Sequence, residues 1–334
     1  MNLNCRLLEE KEISRLGDLM QIAQNDDRLQ LWEDRSTDFL MVYRSHVCAE
    51  PRYYGIFDGS QLIGCSGLLP TRVAGFGEHV RAYLDSDLFL RPEYRKTQAI
   101  HQLIAYRRDD FELLNRKLEC VTFGVENSPG QLELCASHRI KHSVDFFFPS
   151  LTKLTQVFLV RRPVDPSPAM VSRIQTCSLA EAPSSIIDRW LQLLADSRRM
   201  FSPIVDRATL SRLLVVDPTA TLFWIETKGE VESIALLFNE ESVRRYRIGK
   251  RPGLMIERLR KERGLPLAVG DVLPISAITL AASSADAPSV ADRALFQVMA
   301  IKAYDHGRCC LLIRDVVYEL TLDIGFDIIT YEHR

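Results

Sequence analysis

Apolar positions recur along the chain in two rhythms. In the first half, Ile13, Leu16, Leu19, Met20 and Ala23 fall on one face of a 3.6-residue repeat and predict a helix over residues 12–24. Ile100, Leu103, Ile104, Phe111, Leu114 and Leu118 make a second stripe and predict a helix over 97–118. Further helices are expected over 37–48 and 131–137. Shorter runs rich in β-branched and aromatic residues predict strands at 3–8, 53–57, 61–69, 80–90, 120–125, 143–148 and 156–160. Between the second and third of these strands stands Asp58-Gly59, a dipeptide suited to a tight hairpin.

The second half repeats that order with hardly any shared sequence. It predicts a strand over 173–179, helices over 184–195 and 207–215, then strands over 221–227 and 231–238 around Lys228-Gly229. A strand over 275–281, a helix over 290–304, a strand over 309–314, a helix over 316–322 and a strand over 326–331 complete it. At the midpoint Pro163, Pro166 and Pro168 fix φ and remove donors, so residues 163–171 read as an extended connector. The expected fold class is α/β, a mixed sheet with flanking helices, built twice: residues 1–162 and residues 172–334.

Composition narrows the function classes without naming one. With 42 Lys and Arg against 44 Asp and Glu, the net charge of -2 offers no drive toward nucleic acid or an anionic membrane. No apolar run is long enough to span a bilayer, and the polar residues 1–12 carry no signal-peptide pattern. Eight cysteines without a CxxC pair fit a reduced, cytoplasmic protein. His138 and His142 are four residues apart, but no HExxH or third ligand accompanies them, and no metal is expected.

The segment Leu88-Phe89-Leu90-Arg91-Pro92-Glu93-Tyr94-Arg95 resembles the strand-to-loop signature of the GNAT acyltransferase superfamily, and the flanking element order is similar to that fold. Gly325-Phe326 resembles the family's last helix-to-strand step in the second copy. The resemblance implies an acyl-CoA donor, acetyl-CoA or a longer acyl chain. Leu88, Phe89 and Leu90 would offer backbone groups to the pantetheine amides, as an added strand would. Arg95, Lys96, Thr97, Gln98, Ala99 and Ile100 would form the pyrophosphate loop at a helix N-terminus, where free N–H groups and the macrodipole suit an anion. Asn127 would contact the CoA arm. Gln98 and Ile100 stand where the family has glycine or a small residue, which restricts close approach of phosphate to the backbone.

Transfer to an amine needs a base, an acid for the leaving thiolate and a donor to polarise the thioester. The resemblance implies a carboxylate base on the strand before the loop, where Asp85 and Asp87 stand, on one face if alternation holds, as the candidates. Cys135 takes the position of the family's acidic Tyr, with His138 beside it. Arg244, Arg245, Arg247, Lys250 and Arg251 form a basic stretch that is either a solvated, ion-paired surface or a patch for an acidic partner, such as the CoA 3′-phosphate or an acyl carrier protein standing in for acyl-CoA as donor. Two readings result: an N-acyltransferase acting on a small-molecule or peptide amine, or an inactive tandem protein of the same fold that binds a metabolite or a partner protein.

Overall fold

The computed structural model describes residues 2–24, 31–35, 39–41, 51–75, 78–114, 122–123, 154–196, 204–285, 289–314 and 327–331. The expected elements at 131–137, 143–148 and 316–322, most of the one at 37–48, and the candidates Asn127, Cys135 and His138 lie outside the described residues. In chain order the first elements are β1 (Leu3–Leu7), α1 (Glu10–Ile13), α2 (Leu16–Ala23), β2 (Leu31–Asp34), β3 (Arg52–Asp58), β4 (Gln61–Gly75), β5 (Glu78–Leu90), α3 (Ala99–Leu114), β6 (Thr122–Phe123) and β7 (Leu154–Phe158). Next come α4 (Pro168–Val171), β8 (Ile174–Ser178), α5 (Ser184–Asp196), α6 (Arg207–Val216), β9 (Thr221–Thr227), β10 (Glu230–Asn239), β11 (Arg245–Ile248) and α7 (Leu254–Arg263). The last are β12 (Val272–Leu273), β13 (Ile275–Ser283), α8 (Val290–Asp305), β14 (Cys310–Arg314) and β15 (Asp327–Tyr331).

By contacts the chain forms two compact units. One comprises Met1–Gly124, Met200–Ile204 and Val243–Arg251; the other comprises Val125–Arg199, Val205–Ser242 and Pro252–Arg334. The first unit holds a five-stranded sheet in the order β1-β3-β4-β5-β6, antiparallel except for the parallel β5–β6 pair. Tyr54, Ile56, Ile63, Leu68, Tyr83 and Leu90 line a core closed by Ala99 and Leu103 of α3. Those helix residues are four apart and share a face, as the apolar stripe predicts.

The second unit repeats the plan: β8-β9-β10-β13-β14 follow in the same order, with β13 and β14 parallel. Leu295, Phe296, Met299 and Ala300 of α8 pack on Phe223, Ile225, Ala235 and Leu237 of the sheet. Here the sheet continues through β7 to β15, and both neighbours pair antiparallel with β7. The strand expected at 156–160 therefore forms, but within the second unit. Residues 243–251 travel the other way: β11 pairs with β2 in the first unit, Arg245 opposite Asp34 and Ile248 opposite Leu31. The proline-rich stretch is neither helix nor strand through Ser167; Pro168 then opens α4, so the extended connector expected over 163–171 gives way to a helix at 168–171, because a helix's first residue needs no N–H partner.

Candidate functional site

β5 runs in register with β4 from Glu78 opposite Gly75 to Ser86 opposite Gly67, then slips by one residue, so that Phe89 faces Cys65 and Leu90 faces Gly64. Asp87 absorbs the slip in a left-handed conformation, φ 55°. Asp tolerates that region better than most side chains, and an extra residue in one strand is a β-bulge that bends it away from its neighbour. Gly64 and Gly67 flank the slip on β4. A Cβ at Gly64 would lie 2.9 Å from the Phe89 carbonyl oxygen, and one at Gly67 2.8 Å from the Tyr53 ring. Glycine is required there for the close approach.

The Asp87 side chain points inward and is 2% exposed. Its Oδ2 accepts from the Tyr53 hydroxyl at 2.6 Å and its Oδ1 from Arg35 Nη1 at 2.9 Å. The Cys65 thiol donates to the Asp87 carbonyl oxygen, and burial, helped by the nearby Asp87 charge, pushes that thiol's pKa well up. Arg35, 6% exposed, also donates from Nε to Glu33 and sits over the Phe39 ring, which meets Tyr53 edge-on. A buried ion pair is costly unless its partners are well placed; here the carboxylate and guanidinium groups are matched on several sides.

Beyond the bulge the chain leaves β5 at Arg91 and makes a single 3-10 turn over Pro92–Tyr94. This turn is pinned at several points. Arg91 Nε donates to the Leu62 carbonyl at 3.1 Å, Tyr94 donates to Asp58 Oδ2 at 3.1 Å, and Arg95 donates to the carbonyl of Ala23 at the end of α2. Thr97 Oγ1 accepts from Ala99 N, the first amide of α3, at 3.2 Å, one residue short of the N-cap position, which Gln98 holds. No acidic residue stands in the first turn of α3. Lys96 and Gln98 are exposed around that helix start, Ala99 is buried, and among the described residues Lys96 makes no ion pair.

The structure thus brings Leu88, Phe89, Leu90 and the turn 95–100 to one end of β5, as the motif implies. Asp85 lies one step before the register slip, opposite Leu68 in the backbone pairing. Simple alternation from Asp85 to Asp87 meets the bulge at Asp87, whose carboxylate is enclosed by Arg35 and Tyr53. Arg35 and Tyr53 carried no motif or periodicity that marked them in the sequence. The basic stretch has internal work: Arg247 Nε donates to the buried Asp34 at 2.7 Å, and Arg244 lies 3.7 Å from Glu33. The ion-paired alternative fits those two residues. Among the described residues no group of His, Cys, Asp or Glu could hold a metal ion. No helix of the described residues is long and apolar enough to cross a membrane.

The second unit has the same bulge with a different helix start. β13 slips by one residue against β10 between Thr279 and Ala282, with Leu280 at φ 52°. The buried Trp190 indole N–H donates to the Leu280 carbonyl at 2.8 Å, where Cys65 serves Asp87 in the first unit. However, α8 begins with a capping box: Asp292 Oδ2 accepts from Ser289 N and Oγ, both at 2.7 Å, and from Ser283 Oγ at 3.2 Å. A carboxylate already occupies the anion-favouring end of this helix.

No family model and no curated protein matches this sequence. Solved structures do. A probable N-acyltransferase of unknown function from Enterococcus faecalis aligns at 13% identity with a TM-score of 0.52, covering 100% of this chain and 72% of that one. A GCN5-related glucosamine N-acetyltransferase region within a fungal multi-domain β-N-acetylglucosaminidase gives 8% identity and a TM-score of 0.63, over 99% of this chain and 38% of that one. Saccharomyces cerevisiae N-myristoyltransferase with bound myristoyl-CoA gives 12% identity and a TM-score of 0.59, over 99% of this chain and 82% of that one. At such identities the likeness speaks for the fold alone, and the fold is α/β with two tandem GNAT-like units.

Proposed function

We propose that this protein is an N-acyltransferase that moves an acyl group from acyl-CoA to an amine, with the donor held by the first unit. The observation that carries the reading is the contrast between the two helix starts. α3 follows a bulged strand, has a neutral Thr97 hydroxyl at its first amide, exposed Lys96 beside it and no acid in its first turn. α8 follows an equivalent bulge but closes on its own Asp292. A pyrophosphate gains from the first arrangement and is repelled by the second. Leu88 to Leu90 would receive the pantetheine arm along the strand.

In the reaction the free amine nitrogen attacks the thioester carbonyl carbon, forming C–N as C–S breaks. The ammonium's surplus protons leave to a base, and the departing thiolate takes up one proton as CoA. Because the Asp87 carboxylate is enclosed by Arg35 and Tyr53, Asp85 is the base in this proposal, directly or through water. Cys135 remains the proposed acid and Asn127 a proposed contact to the CoA arm. Acetyl-CoA and longer acyl-CoA donors remain alternatives, as do small-molecule and peptide amines.

The test is a thermal-shift titration of the purified protein with CoA, acetyl-CoA and myristoyl-CoA, followed by an amine screen with any donor that binds. Ligand at about 100 times its dissociation constant adds roughly 2.7 kcal/mol to native stability. A shift lost in Lys96→Ala and unchanged in Asp292→Asn places the donor in the first unit; no shift with any donor removes the reading. One feature favours the second reading, a non-catalytic binding protein: Arg95 is turned to the Ala23 carbonyl while Gln98 and Ile100 replace small loop residues. Donor binding without turnover in the amine screen, for wild type and Asp85→Asn alike, would favour that reading.

A further inference from the structure

Two features meet at the end of α2. Arg95 of the proposed donor loop bonds the Ala23 carbonyl, and the Gln24 side chain bonds both backbone groups of Glu33, accepting from its N–H at 2.9 Å. β2 is thereby fixed beside the donor loop, and the residue that follows it is Arg35, the partner of Asp87. The opposite edge of β2 is held by β11. Arg247 donates to Asp34, which is 1% exposed, and Arg244 faces Glu33. Glu33 also accepts from Arg35, so a path of charge-assisted contacts runs from Arg244, just before β11, through Glu33 and Arg35 to Asp87, while Arg247 holds Asp34, the residue next to Arg35 in the chain. Its parts lie in the first unit, although β11 is encoded some 150 residues after β5.

We propose that β11 is a strap that positions the bulge of β5 for the acyl end of the donor, acting through Asp34 and Glu33 on Arg35 and through Arg35 on Asp87. This rests on the acyl-CoA reading. If the pyrophosphate sits at α3 and the arm runs back along Leu90 to Leu88, the thioester falls at the bulge. Arg247 is a positioning residue in this scheme: it holds Asp34, the neighbour of Arg35 in the chain, and acts on the donor through the lock. A left-handed, non-glycine residue at the bulge persists because its surroundings over-determine it, and the lock is what does so here.

The experiment compares CoA with acetyl-CoA, which differ only in the acyl thioester. Their dissociation constants are measured by calorimetry for wild type, Arg247→Ala, Arg247→Lys and Tyr53→Phe. The expected result is that wild type prefers acetyl-CoA, that Arg247→Ala and Tyr53→Phe bring the two constants together by weakening acetyl-CoA alone, and that Arg247→Lys restores most of the preference. Equal weakening of both ligands, without rescue by lysine, would show a merely structural role and overturn the proposal. So would an unchanged preference in Arg247→Ala and Tyr53→Phe, or equal affinities in wild type. A wild type that binds neither ligand defeats the acyl-CoA reading itself, a result distinct from these because it precedes any variant. Tyr53→Phe removes one hydroxyl inside the lock and leaves the strap intact; if Arg247→Ala does not fold, Arg244→Ala, which removes the contact to Glu33, takes its place and must narrow the preference in the same way.

Discussion

Asp87 answers several demands with one side chain: it takes the left-handed turn of the bulge, accepts from Tyr53 and neutralises Arg35. Removing it takes one of its counter-charges from a guanidinium in the interior, with Glu33 still on the other side. Breaking a buried pair in this way costs about 3–5 kcal/mol, whereas Asp87→Asn keeps an acceptor for one of the two donors and should cost less than Asp87→Ala. Urea unfolding of both variants measures the order: the gap between them reads the retained acceptor, and a loss below about 1 kcal/mol in both would count against the ion pair as a source of stability. A second residue-scale expectation concerns pH. The Arg6 guanidinium, bonded to Glu12 at 2.6 Å with help from the Glu9 amide, lowers the Glu12 carboxyl to about 2. A lowered folded pKa contributes stability that is present above the unfolded value of 4.5 and is lost as pH falls toward 2. The melting temperatures of wild type and Glu12→Gln should therefore differ at pH 6 and converge by about pH 2. Asp85 and Asp87 were visible in the sequence as a pair of carboxylates on a strand before a loop. The enclosure of Asp87 was not, because it depends on Arg35 and Tyr53, which are distant in the chain and carry no local signal.

The hairpins and long helices were legible because their signals are local. Asp58-Gly59 and Lys228-Gly229 turn where expected, with Gly59 at φ 59° and Gly229 at φ 84°. Apolar periodicity set α3 and α8 to within a few residues of their observed bounds. β2 and β11 escaped the same method because Leu31-Trp32-Glu33-Asp34 and Arg245-Tyr246-Arg247-Ile248 are mostly charged or aromatic, and their pairing rests on ion pairs across the strands. The bulge escaped as well, since register is a property of two strands and no single one encodes it. Gly64 tests that register. A methyl group added there would meet the Leu90 side chain at 2.7 Å and the Phe89 carbonyl at 2.9 Å, and the backbone contact cannot be relieved by a rotamer change. Gly64→Ala should lose about 1–3 kcal/mol, the cost of overpacking, and speed amide exchange on β4 and β5 around the slip. At the other helix start, Ser289→Ala removes the cap of α8 and should cost about 1 kcal/mol, since one orphan amide loses its acceptor.

At the scale of the whole chain, the element order suggested two consecutive copies, and the architecture of each copy follows that reading. The contact units do not follow the chain so simply. β7 precedes the proline-rich stretch yet lies between β14 and β15 in the second unit's sheet, while β11 follows it and pairs in the first unit. Sequence periodicity gives a strand's existence but not its sheet, and so this exchange was not legible. It has a consequence for fragments. A chain of residues 172–334 carries the expected second copy without β7, leaving the β14 edge that accepts it and the partner edge of β15 unpaired. Unpaired strand edges template association between chains. This fragment should therefore aggregate or elute as oligomers in size-exclusion chromatography, whereas a fragment that begins at residue 154 should give a larger soluble, cooperatively melting fraction. A folded monomer from residues 172–334, as stable as the longer fragment, would mean that β7 adds little to the second unit. The converse fragment, residues 1–162, lacks β11 and leaves Asp34, 1% exposed in the full chain, without Arg247. It should melt at lower temperature than the first unit does in the intact chain, and co-expression with residues 163–334 should recover the difference if the two pieces exchange β7 and β11 as the continuous chain does.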